Sequence, residues 1–157
     1  MQVSVREATA ADDRVILAMV RQLGDEFGVT AELRPGYVTE YLTFPGCHVL
    51  LAEDREAGGT AGSRPHPLGL LTFSLRPNLF HGADAGLVEE SVVARDARRH
   101  GVGTLLMQTA MDAMRTGGCA EAGVATGFDN KPARRLYARF GLIEESLLLE
   151  RHFDDGG

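Results

Sequence analysis

Apolar residues recur along this chain with two different periods, and the switches between them predict its elements. Val3 and Val5 alternate with polar neighbours over 2–6, the period of a strand with one buried face. Ile16, Met19, Val20 and Leu23 follow at helical spacing, with Thr9 as N-cap, Asp12 three residues later and Gly24 placed to end the helix. A weaker helical pattern over 30–41 is interrupted by Pro35-Gly36. Segments 47–53 and 68–75 read as two paired strands. The hairpin loop between them, 54–67, is rich in glycine, proline and mixed charge, which suits a solvated loop better than a substrate lid. After a turn-rich connector at 77–85, a strand over 86–93 mixes β-branched residues with Glu89 and Glu90. Val102, Leu105, Leu106, Thr109, Ala110 and Ala113 mark a helix over 103–116, stopped by Gly117-Gly118. A short strand at 121–126, a helix opened by Asn130 and a closing strand at 146–153 complete the pattern. Strands and helices alternate without internal repeat. The predicted class is α/β, a mixed, largely antiparallel central sheet flanked by helices.

Composition narrows the possibilities. At 157 residues, 44% hydrophobic and 24% charged, the chain is expected to fold as one domain over 1–157 and is not wholly disordered. A formal net charge of -6 argues against broad nucleic-acid binding, which needs a basic face. The longest apolar run, 49–52, is far shorter than the ~20 residues of a membrane span. The first residues carry no hydrophobic signal region, so a cytoplasmic location with no membrane partner is expected. Cys47 and Cys119 stand alone, as buried thiols would, and suggest neither a disulfide framework nor a metal site.

One place reverses the overall acidity. Arg95, Arg98, Arg99 and His100 crowd against Gly101-Val102-Gly103-Thr104 at a strand-to-helix junction. First-turn amides of a helix lack intrahelical partners and the dipole adds partial positive charge there, so the junction suits a diphosphate, and glycine lets the backbone approach it closely. The dinucleotide fingerprint is excluded because Leu106 stands where its third glycine would be, and the P-loop because no Gly-Lys-Ser/Thr closes the turn. What remains is Arg-x-x-Gly-x-Gly, written from Arg98 to Gly103. A second segment, Asn130-Lys-Pro-Ala133-Arg-Arg-Leu136-Tyr137-Ala-Arg-Phe140-Gly141-Leu142, lies downstream. Together with the start from Val5 to Asp12, these resemble the GCN5-related N-acetyltransferase (GNAT) superfamily over nearly the full length. Arg99-His100 replace the more frequent Gly-Lys or Gly-Arg, and Arg95 a frequent proline, which keeps positive charge near the phosphates.

The resemblance implies an acetyl-CoA-dependent N-acetyltransferase with no metal, acting by direct attack on a primary amine, with a homodimer among its allowed states. The acceptor is expected to be a small molecule, since an acidic protein with carboxylates near its cleft favours a cationic amine. The alternatives are a non-catalytic acyl-CoA-binding module and a protein lysine or N-terminal acetyltransferase. In the family, the early helical pair shapes the acceptor site, and two central strands splay apart to admit the cofactor's thioester arm. The diphosphate falls to the backbone of Arg99, His100, Gly101, Val102, Gly103 and Thr104, with Arg98 orienting the turn; the pantetheine amides fall to backbone near Val93. Asn130 either adds a hydrogen bond to the cofactor or caps its helix, two roles that are compatible.

An alkylamine is protonated at neutral pH, so attack needs a base, and Glu89 and Glu90 are candidates. Strand alternation sets them on opposite faces. Glu89, expected to share a face with Leu87, Ser91 and Val93, matches the family's strand-borne glutamate and is the expected base. Tyr137 holds the position of the family's general acid, although Ala133, Leu136, Tyr137 and Phe140 also form one apolar helical face. His48 and His81 could line the acceptor cleft, yet lone histidines are more often structural.

Overall fold

The computed structural model describes residues 1–57 and 66–153. Its strands are β1 Val3–Glu7, β2 Cys47–Asp54, β3 His66–Asn78, β4 Ala83–Val93 and β5 Glu121–Val124. Its helices are α1 Asp13–Glu26, α2 Tyr37–Thr43, α3 Val102–Thr116 and α4 Lys131–Ala138. The strands form one sheet in chain order, antiparallel from β1 to β4, with β5 added parallel to β4. The mixed, largely antiparallel sheet flanked by helices is thus what the periodicity predicts.

β2 and β3 read as nearly continuous apolar runs because helices cover both their faces. Leu51, Ala52, Leu70, Leu71 and Phe73 are fully buried between α3, which contributes Leu106, Met107, Ala110 and Met114, and the layer of α1 and α2, which contributes Ile16, Met19 and Val38. Close approach fixes the α3 side: a Cβ at Gly86 of β4 would fall 2.6 Å from Met114 Sδ. The entry to α1 is tied down by charge. Asp12 accepts the Thr9 N–H at 2.8 Å and the Arg6 guanidinium at 2.8 and 2.9 Å, while Arg6 also reaches Glu53 on β2. That guanidinium is the main reason the Asp12 carboxyl is lowered to about 2.

Several expectations need correction. α1 runs past Gly24 to Glu26; the absent side chain at Gly24 instead admits the following loop, since a Cβ there would lie 2.5 Å from Val29 O. The pattern over 30–41 yields a helix only after Pro35-Gly36, where Gly36 takes a left-handed φ of 82° as the N-cap of α2. The connector at 77–85 shrinks to a turn at 79–82, because β3 and β4 stay paired as far as Asn78 and Ala83. Of the hairpin loop, residues 58–65 lie outside the described residues, so its reading rests on sequence alone. The closing strand at 146–153 is absent. Strand propensity needs a ladder partner, and this segment has none: Leu147 is 91% exposed, Leu149 89% and Phe153 83%, while β5 pairs with β4 alone.

Candidate active site

The helix start expected at Gly103 lies two residues earlier in its cap. Gly101, with φ 77°, is the N-cap of α3, and Arg99 also takes a left-handed φ, 65°, which costs a non-glycine residue about 1 kcal/mol. The first intrahelical bond runs from Leu105 N–H to Gly101 O, so the amides of Val102, Gly103 and Thr104 lack intrahelical partners; no side chain caps them and no acidic residue stands in the first turn. A Cβ at Gly101 would meet nothing within 4 Å, so the approach is open. Arg95 and Arg99 are exposed and unpaired among the described residues, while His100 Nδ1 bonds Arg98 O at 2.8 Å. Arg98 turns the other way: its Nε donates to Val93 O at 3.3 Å and its guanidinium pairs with Glu26 of α1. It braces the turn.

β5 pairs with β4 only from Ala85 to Val88, so the β4 edge beyond Val88 has no strand beside it among the described residues. Ala94 N–H bonds Leu68 O, and antiparallel alternation therefore turns both backbone groups of Val93 away from β3, into this gap. The Val93 carbonyl is already taken by Arg98 and by Gln22 Nε2 at 3.1 Å. Its N–H is the group left for a ligand amide. A Cβ at Gly103 would lie 3.5 Å from Leu136 of α4 and 3.7 Å from Val93, so α4 closes beside the same gap.

On its other flank β4 is irregular. Thr72 stands opposite Glu90 and Phe73 opposite Val88, which leaves Glu89 with no cross-strand partner, a β-bulge. The bulge overturns the alternation argument. Leu87 and Glu90 share the face of Thr72 and Ser74, whereas Ser91 and Val93 share the opposite face with Val88, so Glu89 does not belong to a single row with Leu87, Ser91 and Val93. The charges of both carboxylates reach the hydroxyl of Tyr41, on α2. Tyr41 is raised well above the ordinary phenol range, by burial first and then by Glu90, Glu89 and Cys47. Glu90 is engaged by Thr72, whose hydroxyl donates to Oε2 and accepts the Glu90 N–H at 3.0 Å. Glu89 is exposed, and burial of its inner part, with the charge of Glu90, raises its pKa against the opposing pull of Tyr41 and Arg76.

A model of the acetyltransferase (GNAT) family matches residues 17–142. The chain belongs to that family. Solved structures share its fold. A transcriptional regulator from Bacillus halodurans C-125 is 24% identical with a TM-score of 0.80, covering 97% of this chain and 100% of that one. An aminoglycoside acetyltransferase from an uncultured soil metagenomic sample is 18% identical with a TM-score of 0.79, covering 98% and 100%. A glucosamine-6-phosphate N-acetyltransferase from Arabidopsis thaliana is 18% identical with a TM-score of 0.77, again covering 98% and 100%. A search of curated proteins finds no match.

As a GNAT acetyltransferase the protein uses acetyl-CoA as donor, and its residues fit that molecule: uncapped amides at the start of α3, an open approach at Gly101 and an unpaired strand edge leading away from them. Asn130 is the N-cap of α4, with Oδ1 accepting the Ala133 N–H at 3.3 Å, which leaves its amide N–H groups unspent. The Tyr137 ring is buried to 8% exposure, and burial alone raises its pKa, with no charge or hydrogen bond contributing. His48 stacks on Phe73 at 4.7 Å and pairs with Glu7, and His81 pairs with Glu121 at 3.2 Å; both are held by neighbours rather than by the gap. Cys47 and Cys119 are half-buried rather than fully buried. No group of three or more His, Cys, Asp or Glu among the described residues is arranged to hold a metal, and no helix among them is long and apolar enough to cross a membrane. Sequence reasoning missed Gln22, Glu26, Tyr41 and Thr72. Only Gln22 and Glu26 carry a signal, as polar residues one turn apart on α1.

Proposed function

We propose that this GNAT protein transfers an acetyl group from acetyl-CoA directly to a primary amine of a small, cationic molecule. The observation that carries the reading is the end of β4, where an uncapped helix start, an unpaired strand edge and a bulged carboxylate meet. Acetyl-CoA supplies the activated acyl group, a thioester. The chain's own residues do the rest. Amides from Arg99 to Thr104 hold the diphosphate, with Arg99 and His100 beside it and Arg98 bracing the turn. The Val93 N–H and the Asn130 amide pair with the pantetheine arm.

Glu89 takes a proton from the acceptor's ammonium group, and the freed nitrogen attacks the thioester carbon. The carbon–sulfur bond breaks as the amide forms, Tyr137 gives its hydroxyl proton to the departing sulfur, and the second proton that the nitrogen sheds restores the Tyr137 hydroxyl. A phenol suits this task because it stays protonated where a thiol begins to ionise, and burial of Tyr137 strengthens that hold. No acyl-enzyme is required. The acidic chain, with two carboxylates at the bulge, favours a cationic acceptor.

The test is an amine panel with free-thiol detection. Thiol release is expected with at least one small primary amine, and Tyr137→Phe should lower kcat about a hundredfold while leaving acetyl-CoA affinity unchanged. Acetyl-CoA binding without thiol release across the panel would instead identify a non-catalytic acyl-CoA-binding module.

A further inference from the structure

The Tyr41 hydroxyl is the one buried side-chain polar atom left without a hydrogen-bond partner among the described residues. An orphan hydroxyl is destabilising, since it has lost water and gained nothing. Its surroundings are specific. α2 packs on β2 and sets Tyr41 beside the β4 bulge, with Thr72 and the two carboxylates as the polar groups around the hydroxyl. Thr72 has given its one proton to Glu90 and accepts the Glu90 N–H, so what it can still offer the phenol is a single neutral lone pair. Glu89 is the charged acceptor: the bulge leaves it without a cross-strand neighbour, and it comes close enough to Tyr41 for the phenol to stabilise its anion, a stronger hydrogen bond than a neutral hydroxyl can accept.

We propose that Tyr41 is the positioning residue that selects between the adjacent carboxylates. Thr72 ties Glu90 to the sheet, while the sealed hydroxyl of Tyr41 is the donor reserved for Glu89, holding that carboxylate toward the acceptor amine. This rests on the reading of Glu89 as base. The hydroxyl is closed to solvent, so it acts through Glu89 and not on the substrate. The other charged or titratable groups facing the pair are Glu90 on β4, Arg76 on β3 and Cys47 on β2. A donor to an anion favours the ionised form, so loss of the Tyr41 hydroxyl raises the pKa of Glu89.

The experiment compares the parent with Tyr41→Phe and Thr72→Val. Carboxyl NMR titration of Glu89 needs no acceptor: Tyr41→Phe should raise its apparent pKa by about one unit, whereas Thr72→Val should move it much less. Because the hydroxyl's charged partner is the Glu89 carboxylate, Tyr41→Phe should melt slightly lower than the parent at neutral pH, where Glu89 is ionised, and no lower once Glu89 is protonated. With an amine identified in the panel, the acidic limb of kcat/KM should move to higher pH by the same amount, with the KM for acetyl-CoA unchanged. An unshifted Glu89 titration, or a Tyr41→Phe protein that melts lower even where Glu89 is protonated or fails to fold, overturns the proposal by showing that the hydroxyl serves a structural partner. Absence of turnover with every amine sinks the acetyl-transfer reading alone, since the titration still decides the role of Tyr41.

Discussion

The two sides of the gap at the end of β4 are built from different materials. The donor side is backbone: three uncapped amides, a left-handed Gly101 and a strand edge, with Arg98 acting as a brace. The proposed acceptor side is side chains: Glu89, Glu90, Thr72 and Tyr41 around a bulge. Backbone recognition is indifferent to most side chains but demands a particular conformation, whereas side-chain recognition rides on an ordinary strand. The two sides should therefore fail differently.

The largest expected effect is on the acceptor side. Glu89→Gln should lower kcat/KM at neutral pH by about a hundredfold and remove the acidic limb of the profile, with acetyl-CoA affinity intact. The sign follows from the base having to be ionised: kcat/KM rises with pH through the Glu89 pKa, which is raised, so the parent loses activity at a higher pH than an ordinary carboxylate would dictate. On the donor side, Gly103→Asp should weaken acetyl-CoA binding at least about tenfold by calorimetry, since it brings a carboxylate to the start of α3. Equal loss of turnover and affinity in both variants would erase the distinction between the sides. Gly101→Ala should cost about 1 kcal/mol in chemical denaturation, the strain of a left-handed alanine, because a Cβ there meets nothing. Smallest of all, Leu149→Lys in the unpaired tail should change stability by less than about 0.5 kcal/mol, for an 89% exposed leucine has little burial to lose.

The same contrast explains what was legible in the sequence. Conformation leaves a trace in residue type, so Gly101, Gly103 and Asn130 are readable from the amino-acid order as a helix start and a helix cap. The bulge leaves none. Alternation over 86–93 looks regular, and only the register of β3 against β4 reveals that parity changes between Val88 and Glu90. Tyr41 is hidden for a related reason: it lies in a short helix after an interrupting Pro35-Gly36, and its meeting with Glu89 depends on a contact across the sheet. The strand expected at 146–153 shows the opposite error, for side-chain pattern can propose a strand but cannot supply its neighbour.

The bulge also changes what kind of part Glu89 is. β4 has 11 residues, Ala83–Val93, and ten of them are matched one to one by β3; Glu89 is the one left over. Deleting it would leave Val88 opposite Phe73 and Glu90 opposite Thr72, every remaining side chain on its present face. The sheet is complete without the residue proposed as its base. Shortening the chain by one, rather than exchanging a side chain, is therefore the cleanest way to separate the proposed base from its scaffold.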